Sequence, residues 1–266
     1  MRLIVLGSGT NMHPKRAAAG YWIETDKHLL FDFGPRTLQN LVRLGLDRHR
    51  LEHLFFSHYH ADHFSDFITF FFDAVIHATY VAPRPPLHIY GPKGTKRLFD
   101  AMFHEFPTFS PAPFKTSVTE LTDQTIQLGK TRVTAGTVVH SRKLACQGYR
   151  VEYGGRTCVY SGDAEYSRGL VTLCGHADLA VLDCSFPLEH PGKGHMTAQD
   201  CGRVAHEAGV KRLLLSHFYP VAEQYDVKRQ AAEKFDGRVT MAKDRMRIDL
   251  RSAGATRPSQ EDLRFR

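Results

Sequence analysis

Four side chains of metal-binding types lie within six consecutive residues, at positions 58 to 63. The segment reads Ser57-His58-Tyr59-His60-Ala61-Asp62-His63, and it follows an apolar stretch that predicts a buried strand. In an extended backbone alternate side chains share one face, so His58, His60 and Asp62 can converge. His63 can point to a neighbouring position as the chain turns into a helix. Two imidazoles for one ion, and a carboxylate with an imidazole for another, would begin a site for two metal ions.

The ligand types restrict the metal. Imidazole and carboxylate without thiolate suit zinc, manganese or iron. The five cysteines are scattered and never form a C-x-x-C pair, which argues against a cysteine zinc site and a disulfide framework. A polar turn with chance histidines is the alternative interpretation, and the apolar strand in front of the motif disfavours it.

Three later residues fit the same chemistry. His140, Asp163 and His217 each follow an apolar stretch that predicts a strand. Alone, each would more often be a cap or an ordinary loop residue, and an Asp after Gly is usually a turn residue. Because a scaffold presents polar side chains to a cleft at the ends of its strands, we expect all three to join the first motif.

The elements that must position these residues recur in two halves. Each half has several adjacent strands, followed by strands that alternate with helices. In each half a strand ends in Ser-His, at Ser57-His58 and at Ser216-His217. This order predicts two mixed sheets packed face to face with helices on both outer faces, an α/β fold of four αββα layers. The predicted helices cover residues 37–44, 66–79, 96–104, 198–208 and 221–235.

Composition places the chain among ordinary globular proteins. It is 42% hydrophobic and 24% charged over 266 residues, which allows a core of normal size. No apolar run approaches the roughly 20 residues of a membrane span, and the apolar start is too short for a secretory signal. We therefore expect a cytoplasmic protein that does not bind membranes. The net charge of +7 favours an anionic substrate.

These motifs resemble the metallo-β-lactamase superfamily, and within it the ribonuclease Z-like and phosphodiesterase branch. The resemblance covers Leu6-Gly7-Ser8-Gly9-Thr10, Leu30-Phe31-Asp32-Phe33-Gly34, the His-x-His-x-Asp-His motif and the later His, Asp and His. It implies a dinuclear metal-dependent hydrolase, with Zn²⁺ as the expected ion and Mn²⁺ or Fe as alternatives. We expect a single domain over residues 1–252 and a loose tail over residues 253–266.

The resemblance also distributes the ligands. It implies that His58, His60 and His140 bind one metal. Asp62, His63 and His217 would bind the other, and Asp163 would bridge both. Asp62 would also orient the attacking hydroxide.

A second motif, Gly194-His195-Met196-Thr197-Ala198, is similar to one that faces the scissile phosphate in this branch. Thr197 is the expected N-cap of the following helix, whose start could hold a phosphate oxygen. His195 would then donate a proton to the leaving group. The alternative is a histidine that only packs against the helix entry.

One feature of the branch is missing. Ribonuclease Z proper carries a Gly-Pro-rich arm that grips the tRNA elbow. In its sequence this arm is inserted between the third metal histidine and the bridging aspartate. Here only residues 141–162 separate His140 from Asp163, and two predicted strands fill them. We therefore expect a phosphodiesterase that acts on small cyclic nucleotides or short nucleic acid. The sequence does not determine the oligomeric state, and a homodimer is one option.

Other functions stay open. They are a tRNA 3′-processing endoribonuclease, a carboxylic ester, thioester or lactone hydrolase on the same metals, and a binding module without activity. The complete set of seven ligands disfavours the last.

A phenylalanine-rich helix follows the first motif, with Phe64, Phe67, Phe70, Phe71 and Phe72. Such clustering predicts core packing. The alternative is an apolar wall beside the metals that could stack a base, with His77 and Tyr80 near the mouth of the pocket.

Overall fold

Residues 1–105 and 112–250, which the computed structural model describes, contain two sheets of seven strands each. The first sheet has the order β14-β1-β2-β3-β4-β5-β6. Its strands are β1 (Arg2–Gly7), β2 (Gly20–Glu24), β3 (His28–Phe31), β4 (His53–Phe55), β5 (Leu87–Gly91), β6 (Thr116–Glu120) and β14 (Arg247–Asp249). The second sheet has the order β13-β12-β11-β10-β9-β8-β7. Its strands are β7 (Thr125–Leu128), β8 (Thr131–Thr137), β9 (Gln147–Tyr153), β10 (Arg156–Tyr160), β11 (Leu179–Asp183), β12 (Arg212–Ser216) and β13 (Arg238–Met241).

Helices and short 3-10 segments connect the strands. The α-helices are α1 (Thr37–Arg43), α2 (Ala61–Phe64), α3 (Asp66–Tyr80), α4 (Thr95–Glu105), α5 (Arg168–Cys174), α6 (Ala198–Glu207) and α7 (Val227–Ala232). The 3-10 segments cover Arg48–Arg50 and Pro220–Gln224.

Both sheets are mixed. Strands β3 to β6 run parallel to one another, as do β10 to β13, and the remaining neighbours are antiparallel. The parallel strands of each sheet end at one edge of that sheet. Because the two sheets pack face to face, the loops after β4 of the first sheet and after β10, β11 and β12 of the second can meet.

Three apolar clusters separate four layers. The alternation of side chains sends Leu3 and Val5 of β1 into the space between the sheets, whereas Ile4 and Leu6 face the outer helices. In β10, Cys158 faces the other sheet and Val159 packs under the helices of the second half. The predicted αββα sandwich of two mixed sheets is thereby confirmed.

The phenylalanine-rich helix α3 belongs to the core. Phe67, Phe70 and Phe71 are fully buried against the outer face of the first sheet. Phe72 differs, since it points to solvent with 48% of its surface exposed. Tyr80 is 78% exposed, and His77 stacks on the ring of His49 with 3.7 Å between the ring centroids. The core interpretation is therefore confirmed for the buried three.

The structure corrects several predicted elements. The prediction of one continuous helix over residues 221–235 is wrong. Tyr225 is extended, and a separate helix, α7, begins after Asp226, whose side chain accepts a hydrogen bond from the Arg229 amide. Strand β6 and helix α5 were not predicted from the sequence. Thr116–Glu120 alternates intermediate and exposed residues at a sheet edge, so it lacks an apolar stripe. Helix α5 has seven residues, too few for a clear apolar period.

None of the helices in the described ranges is long and apolar enough to cross a membrane. The predicted tail over residues 253–266 lies outside the described residues, as does most of the loop predicted over residues 106–114. The extent of the single domain stays a prediction.

Candidate metal centre

The first motif lies where β4 leaves the first sheet. After Phe55 the chain bends at Ser57 and is extended at His60, and the side chains of His58 and His60 converge as predicted, with 2.9 Å between their facing ring nitrogens. Helix α2 begins at Ala61, and the alternation therefore ends before Asp62. The helical turn directs Asp62 and His63 to a second position beside the first. Gly34 permits this turn, because a Cβ there would lie 1.9 Å from the Asp62 carbonyl oxygen.

The three later residues come from the second sheet. His140 follows β8, Asp163 follows β10 and His217 follows β12. Two of these turns need left-handed backbone. Gly162 has a φ of +60° directly before Asp163, and His217 itself has a φ of +62°. The structure thus brings all seven predicted ligands to one end of the space between the sheets.

The first ligand group consists of His58, His60, His140 and Asp163, whose ligand atoms lie within 4.8 Å of one another. The Nε2 of His58 is 2.9 Å from the Nδ1 of His60, which is 3.1 Å from the Nε2 of His140. The Oδ2 of Asp163 lies 3.7 Å from the Nε2 atoms of both His58 and His140.

The second ligand group consists of Asp62, His63 and His217. The Nε2 atoms of His63 and His217 are 3.2 Å apart, and each is 3.2 Å from the Oδ1 of Asp163. The Oδ2 of Asp62 is 3.5 Å from the Nε2 of His217. Asp163 therefore faces the first group with one carboxylate oxygen and the second group with the other.

Hydrogen bonds on the outer side of the rings determine which nitrogens point inward as lone pairs. The Nδ1 of His63 donates to Asp32, and the Nδ1 of His140 donates to the Gly194 carbonyl oxygen. The hydroxyls of Ser57 and Ser185 donate to Asp32 and Asp183, so they must accept from His58 and His217 respectively. In each of the four rings Nδ1 therefore carries a proton, so Nε2 is the nitrogen that faces the site and can bind a metal in its deprotonated form.

These donors fit metal ions. The Nε2 atoms of His63 and His217 both lie 3.2 Å from one oxygen of Asp163, an arrangement that a cation between them would stabilise. The Oδ1 of Asp163 is buried and accepts no hydrogen bond from the described residues. A buried carboxylate oxygen without a donor is costly, and a cation would satisfy it. The seven residues could therefore hold two ions, one in each group, with Asp163 between them.

The electrostatics agree with a cation site. Burial and the nearby charge of His63 hold the pKa of His58 well below its ordinary value, which keeps that ring neutral and able to bind a metal. Burial opposes ionisation of Asp163, but His217 and His63 outweigh it, so its pKa lies well below the usual range. Burial also disfavours a charged His63, yet Asp163 and Asp32 raise its pKa to about 10. The carboxylates around His63 therefore favour a positive charge at this position, which a metal ion would also supply.

Asp32 organises the second group and was not assigned a role from the sequence. It is fully buried and accepts hydrogen bonds from the Ser57 amide at 2.7 Å, the Tyr160 hydroxyl at 2.5 Å and the Nδ1 of His63 at 2.7 Å. Its backbone is left-handed, with a φ of 55°. The signal that could have found it is a carboxylate between two apolar aromatic residues, Phe31 and Phe33, just after a strand.

His195 lies beside both groups. Its Nδ1 is 2.8 Å from the Oδ2 of Asp183 and 3.1 Å from the hydroxyl of Ser185. Burial disfavours its charged form, but Asp183 outweighs burial and raises the pKa of His195. Thr197 caps α6 as expected, in a reciprocal pair with Asp200. Asp183 and Ser185 were missed in the sequence, where a carboxylate at the end of the apolar strand β11 was the available signal.

An aromatic pair lines the same side of the site. The rings of Phe186 and Tyr219 stack, with 5.0 Å between the centroids and 15° between the planes. Each ring also meets His195 edge-on at 5.8 Å. Both side chains are half-buried, so part of this pair faces solvent next to His195.

Comparisons with known proteins agree with this geometry. The family described as "Beta-lactamase superfamily domain" matches residues 27–218. The probable metallo-hydrolase YhfI of Bacillus subtilis is 28% identical over 247 residues, which cover 91% of this chain and 97% of YhfI. The crystal structure of YhfI superimposes with a TM-score of 0.79 at 26% identity, covering 93% of this chain and 98% of that one.

Ribonucleases of the Z type are similar as well. Ribonuclease Z of Brevibacillus brevis is 26% identical, over 77% of this chain and 80% of that enzyme. The short form of human tRNase Z has a TM-score of 0.76 at 24% identity, over 95% of this chain and all of that one. That likeness shows the shared fold.

Proposed function

Because this chain belongs to the metallo-β-lactamase superfamily and is a metal-dependent hydrolase by that membership, we propose that it is a dinuclear phosphodiesterase acting on cyclic nucleotides or short phosphodiesters. The observation that carries the proposal is the pair of ligand groups on either side of Asp163. When bound, two divalent ions, with Zn²⁺ as the expected metal, supply Lewis acidity that polarises a phosphoryl oxygen and makes water more acidic. His58, His60 and His140 would hold one ion, and Asp62, His63 and His217 the other.

Two residues of the chain are proposed to move protons. Asp62 is the carboxylate of the second group, and it would accept a hydrogen bond from the attacking water, orient that water and take its proton. His195 is held through Nδ1 by Asp183, so its Nε2 remains to donate a proton to the leaving oxygen. We assign His195 to the substrate on the basis of its bond to Asp183; its ring also lies within 4.8 Å of the ligand atoms of Asp163, Asp183 and His217.

Replacing His195 by alanine should reveal this role. We expect His195→Ala to slow hydrolysis of alkyl phosphodiesters by about 10²- to 10⁴-fold, the usual contribution of a positioned acid. Hydrolysis of bis(p-nitrophenyl) phosphate should fall far less, because p-nitrophenolate leaves without protonation. Steady-state kinetics on both substrates, with metal content measured in parallel, test this.

His190→Ala is the matched control, since His190 lies on the same loop and its exposed side chain is hydrogen-bonded to the Tyr225 hydroxyl. It should leave both activities unchanged. An equal loss on the two substrates in His195→Ala would assign His195 to structure alone.

Two observations support a small nucleotide substrate. The stacked Phe186 and Tyr219 offer an aromatic surface beside His195, and aromatic rings bind bases by stacking. Between His140 and Asp163 the chain forms only β9, β10 and their turns, so it has no room there for a tRNA-gripping arm. Without the phosphate contacts of such an arm, a folded tRNA gains less affinity.

We therefore expect cyclic nucleotides or short diesters to have a higher kcat/KM than precursor tRNA. A panel of 2′,3′- and 3′,5′-cyclic nucleotides, dinucleotides, precursor tRNA and a thioester measures this. Efficient 3′-processing of precursor tRNA, with the small diesters ignored, would favour the alternative of a ribonuclease Z, which the similarity to such enzymes supports. Preferred thioester turnover would favour a carboxylic ester hydrolase. Cytoplasmic location and a homodimer stay predictions.

A further inference from the structure

A positively charged groove runs along the side of the molecule where β13 and β14 are the edge strands of the two sheets. Three adjoining cavities form it. The upper cavity, about 720 Å³, is lined by Lys228, Arg238, Lys243 and Arg245. A middle cavity of about 210 Å³ shares Arg238 with it. The middle cavity in turn shares Arg212 with a lower one of about 380 Å³.

The cations of the upper cavity have free charge. Lys228, Arg238, Lys243 and Arg245 are exposed, and within residues 1–105 and 112–250 none of their side chains forms an ion pair. Asp244 is the carboxylate among the described residues of this cavity, and its oxygens are engaged by backbone amides of the protein. It accepts hydrogen bonds from the amides of Ser8 and Ala17 at 3.0 and 2.7 Å. The upper cavity therefore attracts anions, whereas the lower cavity also contains Asp178 and Asp249.

Apolar side chains lie between the cations. Val239, Met241 and Met246 line the upper cavity and are buried or half-buried. A ligand that suits the groove thus carries several negative charges and flat apolar faces. A single-stranded nucleic acid has both, because its phosphates are charged and its bases are flat and apolar. The carboxylates of an acidic peptide come without planar apolar groups. A free phosphate has the charge but no apolar group.

Buried residues separate the upper cavity from the metal centre. Ser8, which donates a hydrogen bond to Asp244, accepts one from the Phe218 amide through its carbonyl oxygen at 3.0 Å, and both residues are fully buried. The groove is therefore a surface of its own outside the metal centre.

We propose that this groove binds a single-stranded nucleic acid. The inference goes beyond the proposed function, because it assigns a binding surface outside the metal centre. Binding along the groove can be measured without turnover, so the two proposals can fail separately.

The test uses a fluorescent ten-nucleotide phosphorothioate oligothymidylate, which resists hydrolysis, and the metal-loaded protein. Affinity should fall with salt, with a slope of log K against log salt between about −2 and −3, at about −0.7 for each phosphate contacted. The double variant Lys228→Glu with Arg238→Glu should bind roughly tenfold or more weakly at 50 mM salt and show a slope smaller by about 1 to 1.5. Its kcat/KM on bis(p-nitrophenyl) phosphate should equal that of the unaltered protein.

Arg97→Glu with Lys130→Glu is the matched control, because both side chains are exposed near the opposite edge formed by β6 and β7. This control should bind the oligonucleotide normally. Unchanged binding by the groove variant, equal losses in both variants, or a duplex bound as tightly as the single strand would each overturn the assignment. Normal oligonucleotide binding without any phosphodiester turnover would leave the groove in place and reject the proposed function.

Discussion

Replacing His58 and His60 together by alanine is expected to lower the metal content from near two ions per chain to near one and to abolish turnover. The first ligand group would keep only His140 and Asp163, too few donors to hold an ion. An ion stabilises transition-state charge by several kcal/mol, so its loss should slow hydrolysis by about 10³-fold or more. Elemental analysis together with kinetics on bis(p-nitrophenyl) phosphate measures both effects.

The control changes two histidines outside the site. His104 in α4 and His206 in α6 are exposed, and His104→Ala with His206→Ala should retain both ions and full activity. Exhaustive chelation of the unaltered protein should abolish turnover, and added Zn²⁺ or Mn²⁺ should restore it. Full activity in the chelated protein would contradict the metal hypothesis entirely.

Asp32→Ala should cause the largest loss of stability of any single substitution near the site. The change would leave the Ser57 amide, the Tyr160 hydroxyl and the Nδ1 of His63 without their common acceptor in a fully buried position. Removing one partner from a buried charged network costs about 3–5 kcal/mol. The orientation of His63 would be lost as well, so metal affinity of the second group should fall about 10- to 100-fold.

Urea unfolding and metal titration of the folded variant measure these two effects. Asp32→Asn keeps the shape and one acceptor oxygen, and we expect an intermediate result. Asp236→Ala, at an exposed position outside the site, should change neither quantity measurably. Asp32→Ala with unaltered stability and unaltered metal affinity would show that the network is dispensable.

The amino-acid sequence was sufficient to predict the fold class, which is confirmed, and a candidate ligand set, because both depend on short-range patterns. Alternating and continuous apolar stretches mark the strands, and their order in two similar halves predicted two facing sheets. The ligand motif is equally local, since His58, His60, Asp62 and His63 lie within a few residues of one strand end. His140, Asp163 and His217 could be added because each follows an apolar strand.

Only the tertiary structure decided which donors face each other. The division of the carboxylate oxygens of Asp163 between the two groups depends on the packing of the second sheet against the first. Asp32 and Tyr160 are 128 residues apart in sequence, so their hydrogen bond follows no local pattern. The inward lone pairs of the histidines likewise depend on partners such as Asp183 and Gly194, which come from other loops.

Surface features also required the three-dimensional arrangement. The basic groove combines Lys228 of α7 with Arg238 of β13 and Arg247 of β14, which lie in different layers. In the sequence these cations appear as ordinary surface charges among acidic neighbours. A local pattern indicates which face of a helix or strand is apolar. Long-range packing decides which helices and strands lie next to one another. For this reason the residue types of the metal centre could be predicted from the chain alone, whereas their hydrogen-bonded support and the groove could not.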